Sequence, residues 1–422
     1  MAANPNTISS GIRETWDNVY QVQHHKIPVY PAFSTFRLAA GLQKGDTVNR
    51  HYRNSLVAND MGADGSYVTQ AITDTQEQLV INKEKETSFY IKELDELQNH
   101  LPVRAKHAYD SMAAIFNQVD GDVLGNYDSY TNTLDDGDLG GTSGNGITVT
   151  TSNVRQLFSR SKKILQRNNI MLDNSAKFTG FRKEDMAVQR GVAIISPDVY
   201  NTLLESLDGK DSALGDQVGI NGHSGRYFGF DLFVSNALGW SATLVLDTIP
   251  VAADTITING VAMQAAADNS ATNAGDFSIE TTNDLAAANI VLLINGTGTA
   301  GTDEYIDFST ANRALMKNIT ATYTASTDKL TLKATGKGYV VVSETLSPAT
   351  DVWTPALQVQ HCLIGVNNSI DVVIQKNPSV TARPSPDARV GSDVVTWAAY
   401  GYKVFREQLN KMVDVWVRTD AY

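Results

Sequence analysis

Cysteine is all but missing from this 422-residue chain, where Cys362 stands alone. A single thiol excludes an intramolecular disulfide and any zinc cluster built on several cysteines. Followed by Leu363 and Ile364, it reads as a small buried hydrophobe. Positive charge is also scarce: 34 Lys and Arg face 46 Asp and Glu, for a formal net charge of -12. Phosphate binding needs clustered cations, so the overall field does not favour holding nucleic acid. No apolar run approaches the ~20 residues that a helix needs to cross a bilayer. The opening Met1-Ala-Ala-Asn-Pro-Asn has neither the basic start nor the apolar stretch of a secretory signal. A protein made and used in a soluble compartment, with no membrane partner, is the expectation. What is present is ordinary globular material, 42% hydrophobic and 8% aromatic, in a chain long enough for two or three packed units.

Signatures of chemistry are thin as well. Gly222 to Arg226 superficially resembles a hydrolase nucleophile elbow around Ser224, but Arg226 stands where that pattern needs Gly. Asp136-Gly-Asp138 begins like a calcium loop, yet the twelfth position is Ile147 and not the bidentate Glu. Gly140 to Gly146 lacks the Lys-Ser/Thr that completes a phosphate-cradling loop and reads as a mobile connection. No Gly-x-Gly-x-x-Gly opens a helix, and the seven histidines, His24, His25, His51, His100, His107, His223 and His361, form no His-Glu-x-x-His pair. The sequence therefore predicts no catalytic, cofactor or metal site. Arg155, Arg160, Lys162, Lys163 and Arg167 make one side of a helix basic, which reads as a solvated face, with a face that meets acidic neighbours or nucleic acid as the alternative.

The organisation along the chain is more informative. Residues 1 to 41, with Pro5, Pro28 and Pro31, show no sustained period and read as an arm lying on something else. Two extended runs, roughly 46 to 57 and 78 to 91, flank Asn59, Asp60, Gly62, Asp64 and Gly65 and predict a long hairpin. Leu79 with Ile81 and Phe89 with Ile91 keep a strand's period of two, while Lys83 and Lys85 mark a polar edge. Such a hairpin has too few apolar residues for a core of its own, and its edges invite pairing with another chain. Partner-subunit salt bridges are the sharper reading of Lys44, Arg50 and Arg53, and Lys83 and Lys85 join them as candidate inter-subunit contacts.

An amphipathic helix is predicted from Pro102 through Val119, ended by Gly121 and Gly125, and a second from about Ser152 to Asn168. Gly191 to Ile195 reads as a buried strand, Ser196-Pro197 as the cap of a short helix, and Tyr227 to Val234 as another strand. Between 241 and 352 the composition shifts to Thr, Ala and Asn, with five basic residues against twelve acidic ones. That segment predicts a hairpin turning at Asn259-Gly260, a helix over Asn283 to Ile294, and a hairpin turning at Ser326-Thr327-Asp328. Strands resume over Leu363 to Ile374 and Val394 to Val417, separated by a Pro-rich loop at Pro378, Pro384 and Pro386.

Several strings, in this order, resemble the major capsid (coat) proteins of tailed bacteriophages, which share the Hong Kong 97 fold. They are Lys44-Gly-Asp-Thr-Val48, Thr73 through Gln98, Arg190 through Tyr200, Gly229 through Ala237, and Ala398 through Phe405. The resemblance covers about three-quarters of the chain and leaves out the Thr/Ala/Asn-rich segment, which is similar to small decoration-like domains. It implies an α+β, HK97-like fold with an inserted, largely β domain. Its parts would be an N-terminal arm (1–41), an extended loop hairpin (42–92), a peripheral domain with a spine helix (93–190), an axial domain (191–240 and 357–377), the insertion (241–356) and a return to the peripheral domain (378–422). It further implies self-assembly into pentamers and hexamers, an icosahedral virion shell built in the host cytoplasm around double-stranded DNA without sequence-specific binding, and separate scaffolding and portal proteins. Some members of the family crosslink through Lys and Asn; Lys44 has no matched Asn or Glu motif here. The alternatives from the same reading are a tail tube or decoration protein, and a hydrolase using Ser224.

Overall fold

A computed structural model describes residues 25–36, 47–54, 56–98, 103–170, 172, 189–207, 225–301, 303–347, 350–384 and 390–419. Lys44, His24, His100, Pro102, Gly222 to Ser224, Pro386 and most of the predicted arm lie outside them. The chain divides into two compact units. One comprises residues 1–26, 84–116 and 376–398, and the other residues 27–83, 117–375 and 399–422.

The sheet in which strand Gly391–Lys403 lies between strands Ile370–Pro384 and Lys83–Lys92 supplies residues 84–92, 376–384 and 391–398 to the smaller unit. The predicted Pro-rich break is absent at Pro378, through which the strand runs on to Pro384. Ile370–Pro384 has its second described neighbour, Ser34–Thr35, only at Ile370 and Asp371. Beyond that point it is an edge strand among the described residues, where a residue without an N–H is tolerated. Gly391 passes so close to strand Lys83–Lys92 that a Cβ there would fall 2.5 Å from the Ile91 carbonyl oxygen. Helix Val103–Leu124 begins in this unit, where Ser111 Oγ and Thr396 Oγ1 are 2.8 Å apart and Phe89 meets His107 edge-on.

In the larger unit, strand Val359–Val366 is buried at every position and organises the main sheet. One edge pairs antiparallel with Met412–Arg418 along its length. The other edge is shared, Val359 to His361 pairing with Gly239–Val245 and Leu363 to Val366 with Gly191–Ile195. Gly191–Ile195 is followed by helix Pro197–Leu207, capped as predicted by Ser196 Oγ, which accepts from Val199 N at 3.2 Å. Cys362 is buried here, and desolvation pushes its thiol up to about 12.

Both predicted hairpins of the 241–356 segment are present. Thr255–Ile258 pairs with Val261–Ala266 across Asn259 (φ 51°) and Gly260 (φ 77°), and Ile319–Thr324 pairs with Lys329–Ala334. The predicted helix spans Asn283–Asn295, held at its start by Thr282 and closed by left-handed Gly296. A core of its own gathers Trp240, Leu244, Ile256, Phe277, Ile290 and Trp353. Strand Lys329–Ala334 pairs with Gly239–Val245, so the segment also lengthens the main sheet.

Three local expectations need correction. Helix Val103–Leu124 does not stop at Gly121. That glycine allows close approach, since a Cβ would sit 2.7 Å from Gly336 Cα. The run Tyr227 to Val234 is a tight hairpin and not one strand, because Phe228 (φ 51°) and Gly229 (φ 92°) turn the chain between Arg226–Tyr227 and Phe230–Val234. The Gly-rich loop expected to be mobile is laced by its own carboxylates: Asp135 accepts from Ser143 Oγ at 3.2 Å and Gly144 N at 2.5 Å, and Asp136 from Thr142 N at 3.0 Å. No helix of the described residues is long and apolar enough to cross a membrane.

Candidate assembly interface

The predicted long hairpin is present with a different return path. Thr47–Arg53 pairs antiparallel with Asp74–Val80, from Thr47 opposite Val80 to Arg53 opposite Asp74. The expected second run of 78 to 91 is two strands, for after Ile81-Asn82 the chain enters Lys83–Lys92, which belongs to another sheet. One alternating pattern covers both, so the period of two shows no break where the backbone changes sheets.

The base of the hairpin is tied down within the chain. Val48 and Leu79 pack with Val373 and Phe405, and Leu79 is completely buried. Full burial of a side chain this size stabilises by roughly 1.5–3 kcal/mol. Above this small core, Arg50 donates to Asp371 Oδ2 at 3.2 Å and to Glu407 Oε1 at 2.5 Å, with its guanidinium 5.1 Å from the Phe405 ring centroid. Burial raises the Asp371 carboxyl above its ordinary range, while Gln408 and Arg50 pull it back. Lys403 Nζ donates to the Gln78 carbonyl at 2.8 Å, and the Arg406 guanidinium lies 4.9 Å from the Tyr52 ring centroid. Gly401 lets two backbones meet, as a Cβ there would fall 2.5 Å from the Val80 carbonyl oxygen.

Beyond Arg53 the ladder ends and a twenty-residue excursion to Thr73 begins. Its two legs are joined by one backbone bond and by the side chains of Asn54 and Gln70. Asn54 N donates to the Thr73 carbonyl at 3.3 Å, Asn54 Nδ2 to the Ala71 carbonyl at 2.9 Å, and Val57 N to Gln70 Oε1 at 2.9 Å. Gly65, at φ 79°, closes the tip by donating to the Gly62 carbonyl. Along these legs Leu56, Val57, Met61, Tyr67, Val68 and Ile72 are 63–78% exposed. Six large apolar side chains left exposed by the described residues on one excursion make it a candidate interaction site.

Of the candidate contacts, Arg50 is bonded within its own chain. Arg53 is exposed at the end of the ladder, Lys83 and Lys85 are half-buried, and Lys44 lies outside the described residues. Sequence reading missed Asp371, Phe405 and Glu407 as partners of the hairpin, and no local signal marks them because they lie more than 300 residues away in the chain. Among the described residues, no group of three or more His, Cys, Asp or Glu side chains is placed to hold a metal ion.

No protein-family model matches the sequence, and no curated protein matches it. Solved structures do. A chain from Mycobacterium phage Che8 superposes with a TM-score of 0.54 at 14% identity, covering 96% of both chains. A chain from the capsid of cyanophage P-SCSP1u gives 0.54 at 11% identity, covering 99% of this chain and 96% of that one. A chain from the mature capsid of bacteriophage PhiM1 gives 0.51 at 9% identity, covering 96% and 92%. At such identities the likeness is one of fold, and it runs the length of the chain. This protein has the HK97-like fold of phage capsid chains.

Proposed function

We propose that this chain is the major capsid protein of a tailed bacteriophage, assembling into pentamers and hexamers that close as an icosahedral shell around double-stranded DNA. The observation that carries the reading is the excursion between Asn54 and Thr73. Its base is fixed by the Val48, Leu79, Val373 and Phe405 core, while its far end presents apolar side chains that none of the described residues covers. A second copy is the natural cover, since a shell of identical subunits offers the same recess beside every loop. The likeness to capsid chains supports this choice of partner. Each loop side chain buried in that way would add roughly 1.5–3 kcal/mol, and the sum over a closed shell turns weak contacts into a stable particle. Arg53, Lys83 and Lys85 are the charged groups we assign to the neighbour's rim, and Arg50 aims the loop from its own chain.

The DNA inside is enclosed and not read, because the chain carries -12 overall. Scaffolding and portal proteins are its assembly partners in the host cytoplasm, the shell role itself uses no catalytic chemistry, and the 241–356 insertion braces or decorates the shell. Replacing residues 55–72 by a short turn is the test. The account expects a folded subunit that forms no shells, and closed particles from this variant would overturn it.

A further inference from the structure

The main sheet of the larger unit carries a polar constellation that the shell role does not use. Ser241 on strand Gly239–Val245, His361 on Val359–Val366 and Asp414 on Met412–Arg418 come from three neighbouring strands. Ser241 Oγ is 2.9 Å from His361 Nε2. On the far side of the ring, Nδ1 is 2.9 Å from Asp414 Oδ2 and 3.0 Å from Oδ1. An ionised carboxylate only accepts, so the neutral imidazole carries its proton on Nδ1 and leaves Nε2 to accept the Ser241 hydroxyl proton. That is the hydrogen-bond order by which a serine is activated, whatever the order of the three residues in the chain.

The surroundings hold this order in place. Tyr127 stacks on the imidazole at 3.5 Å between centroids and 6° between planes. Trp416 Nε1 donates to Asp414 Oδ2 at 2.8 Å, fixing the carboxylate from a second direction. His361 and Asp414 are each 3% exposed, so their interaction is shielded from water, while Ser241 is half-buried at the edge of an open cavity of about 410 Å³. Lys333 pairs directly across the ladder from Ser241 and also lines this cavity, with its Nζ 2.7 Å from Asp128 Oδ2. Its ammonium also lies 4.7 Å from the Tyr127 ring centroid, so Lys333, Asp128 and Tyr127 form one polar wall of the cavity beside Ser241. Thr243 and Leu357 line the same cavity, whose size suits a small ester with a short acyl chain.

From this geometry we infer that Ser241 is an activated nucleophile that accepts acyl groups from small esters, with His361 as its general base and Asp414 as the positioning residue. In the acylation step Ser241 Oγ bonds to the ester carbonyl carbon and its proton passes to His361 Nε2. The carbon–oxygen bond to the leaving alcohol then breaks, and that alcohol takes the proton from Nε2. Water reverses the sequence, releasing the acid and restoring the serine. No oxidant or further co-reactant is needed.

Diisopropyl fluorophosphate tests the site directly on the purified full chain. Serine oxygen would displace fluoride at phosphorus, with the proton again taken by His361, leaving a stable adduct that peptide mapping locates. The expected result is modification at Ser241, lost in Ser241→Ala and slowed by roughly 10²–10⁴-fold in His361→Gln, the range a positioned general base supplies. Asp414→Asn should label slowly at neutral pH, with a rate that keeps climbing with hydroxide where the unsubstituted protein reaches a plateau. A merely structural aspartate would leave the shape of that profile unchanged. Mapping on the unsubstituted protein decides the matter even if a variant does not fold. Absence of an adduct, or an adduct confined to other residues, would overturn the inference and leave the shell reading untouched.

Discussion

Arg50 and Asp371 are separated by 321 residues of chain and by 3.2 Å in the fold. This contact, with its companion to Glu407, joins the base of the long hairpin to the strands that return late in the sequence. Asp371 is almost fully buried, so its charge depends on Arg50 and Gln408 for compensation.

Removing that compensation should be costly in a pH-dependent way. Burial leaves the folded Asp371 carboxyl above its unfolded value. Its contribution to stability is therefore fully present below the unfolded value and falls away as pH rises through the folded one. Arg50→Met strengthens this trend. The variant should lose roughly 1–3 kcal/mol at neutral pH, and the loss should shrink as acid protonates Asp371. Urea unfolding at a series of pH values checks it; a loss that grows in acid would contradict the pairing.

Beneath this pair, Phe405→Ala would open a cavity against Leu79, Val48 and Val373. A deficit of about 3–5 kcal/mol is expected, as for a large aromatic removed from a packed site. Protease cleavage between residues 54 and 73 should accelerate with it, because the loop would lose its footing. Unchanged cleavage and unchanged stability would show that the hairpin is anchored elsewhere.

Gly121→Ala separates two effects of opposite sign. In an exposed helix interior the change would gain about 1 kcal/mol from helix propensity. Here the new Cβ would sit 2.7 Å from Gly336 Cα, a backbone atom that does not rotate away. Net destabilisation is expected, read as a lower melting temperature. A rise would refute the close approach.

Within the 241–356 segment, Asp351 is buried and accepts from Asp247 N at 3.0 Å, Thr248 N at 3.3 Å and Thr248 Oγ1 at 2.8 Å. Burial and the neighbouring Asp247 carboxyl hold Asp351 above the usual carboxylate range. A raised carboxyl stabilises most below its unfolded value of about 4 and loses that contribution as pH rises toward neutrality. Asp351→Asn keeps an oxygen for the two amides and removes the titration. Its melting temperature should vary less between pH 4 and pH 7, by calorimetry, than that of the unsubstituted protein. An equal or steeper variation would contradict a raised Asp351 carboxyl.

Much of this architecture is legible where one residue dictates one backbone conformation. Asn259-Gly260 announces a two-residue turn because both positions need positive φ, and Ser196-Pro197 announces a helix start. Reading fails where a residue serves a distant contact. Gly121 looks like a terminator and is a point of close approach, and Phe228 gives no hint that it turns left-handed before Gly229. The change of sheet after Ile81-Asn82 is silent because the alternation on either side is in phase. The exposed excursion was foreseeable from its polar, Gly-containing middle, whereas its anchors at Asp371 and Phe405 were not. Ser241, His361 and Asp414 escape any motif search for the same reason, being 120 and 53 residues apart.

A second copy of the chain is the proposed cover of the 54–73 excursion. Substituting Leu56, Val57, Met61, Tyr67, Val68 and Ile72 together by Ser removes the exposed apolar surface and leaves the anchoring core intact. Electron microscopy of this variant beside the unsubstituted protein, each co-expressed with its scaffold, is the direct measurement. Closed particles are expected from the unsubstituted chain and dispersed, equally stable subunits from the variant; closed particles in equal yield from both would show that the loop's apolar face is not what joins the subunits.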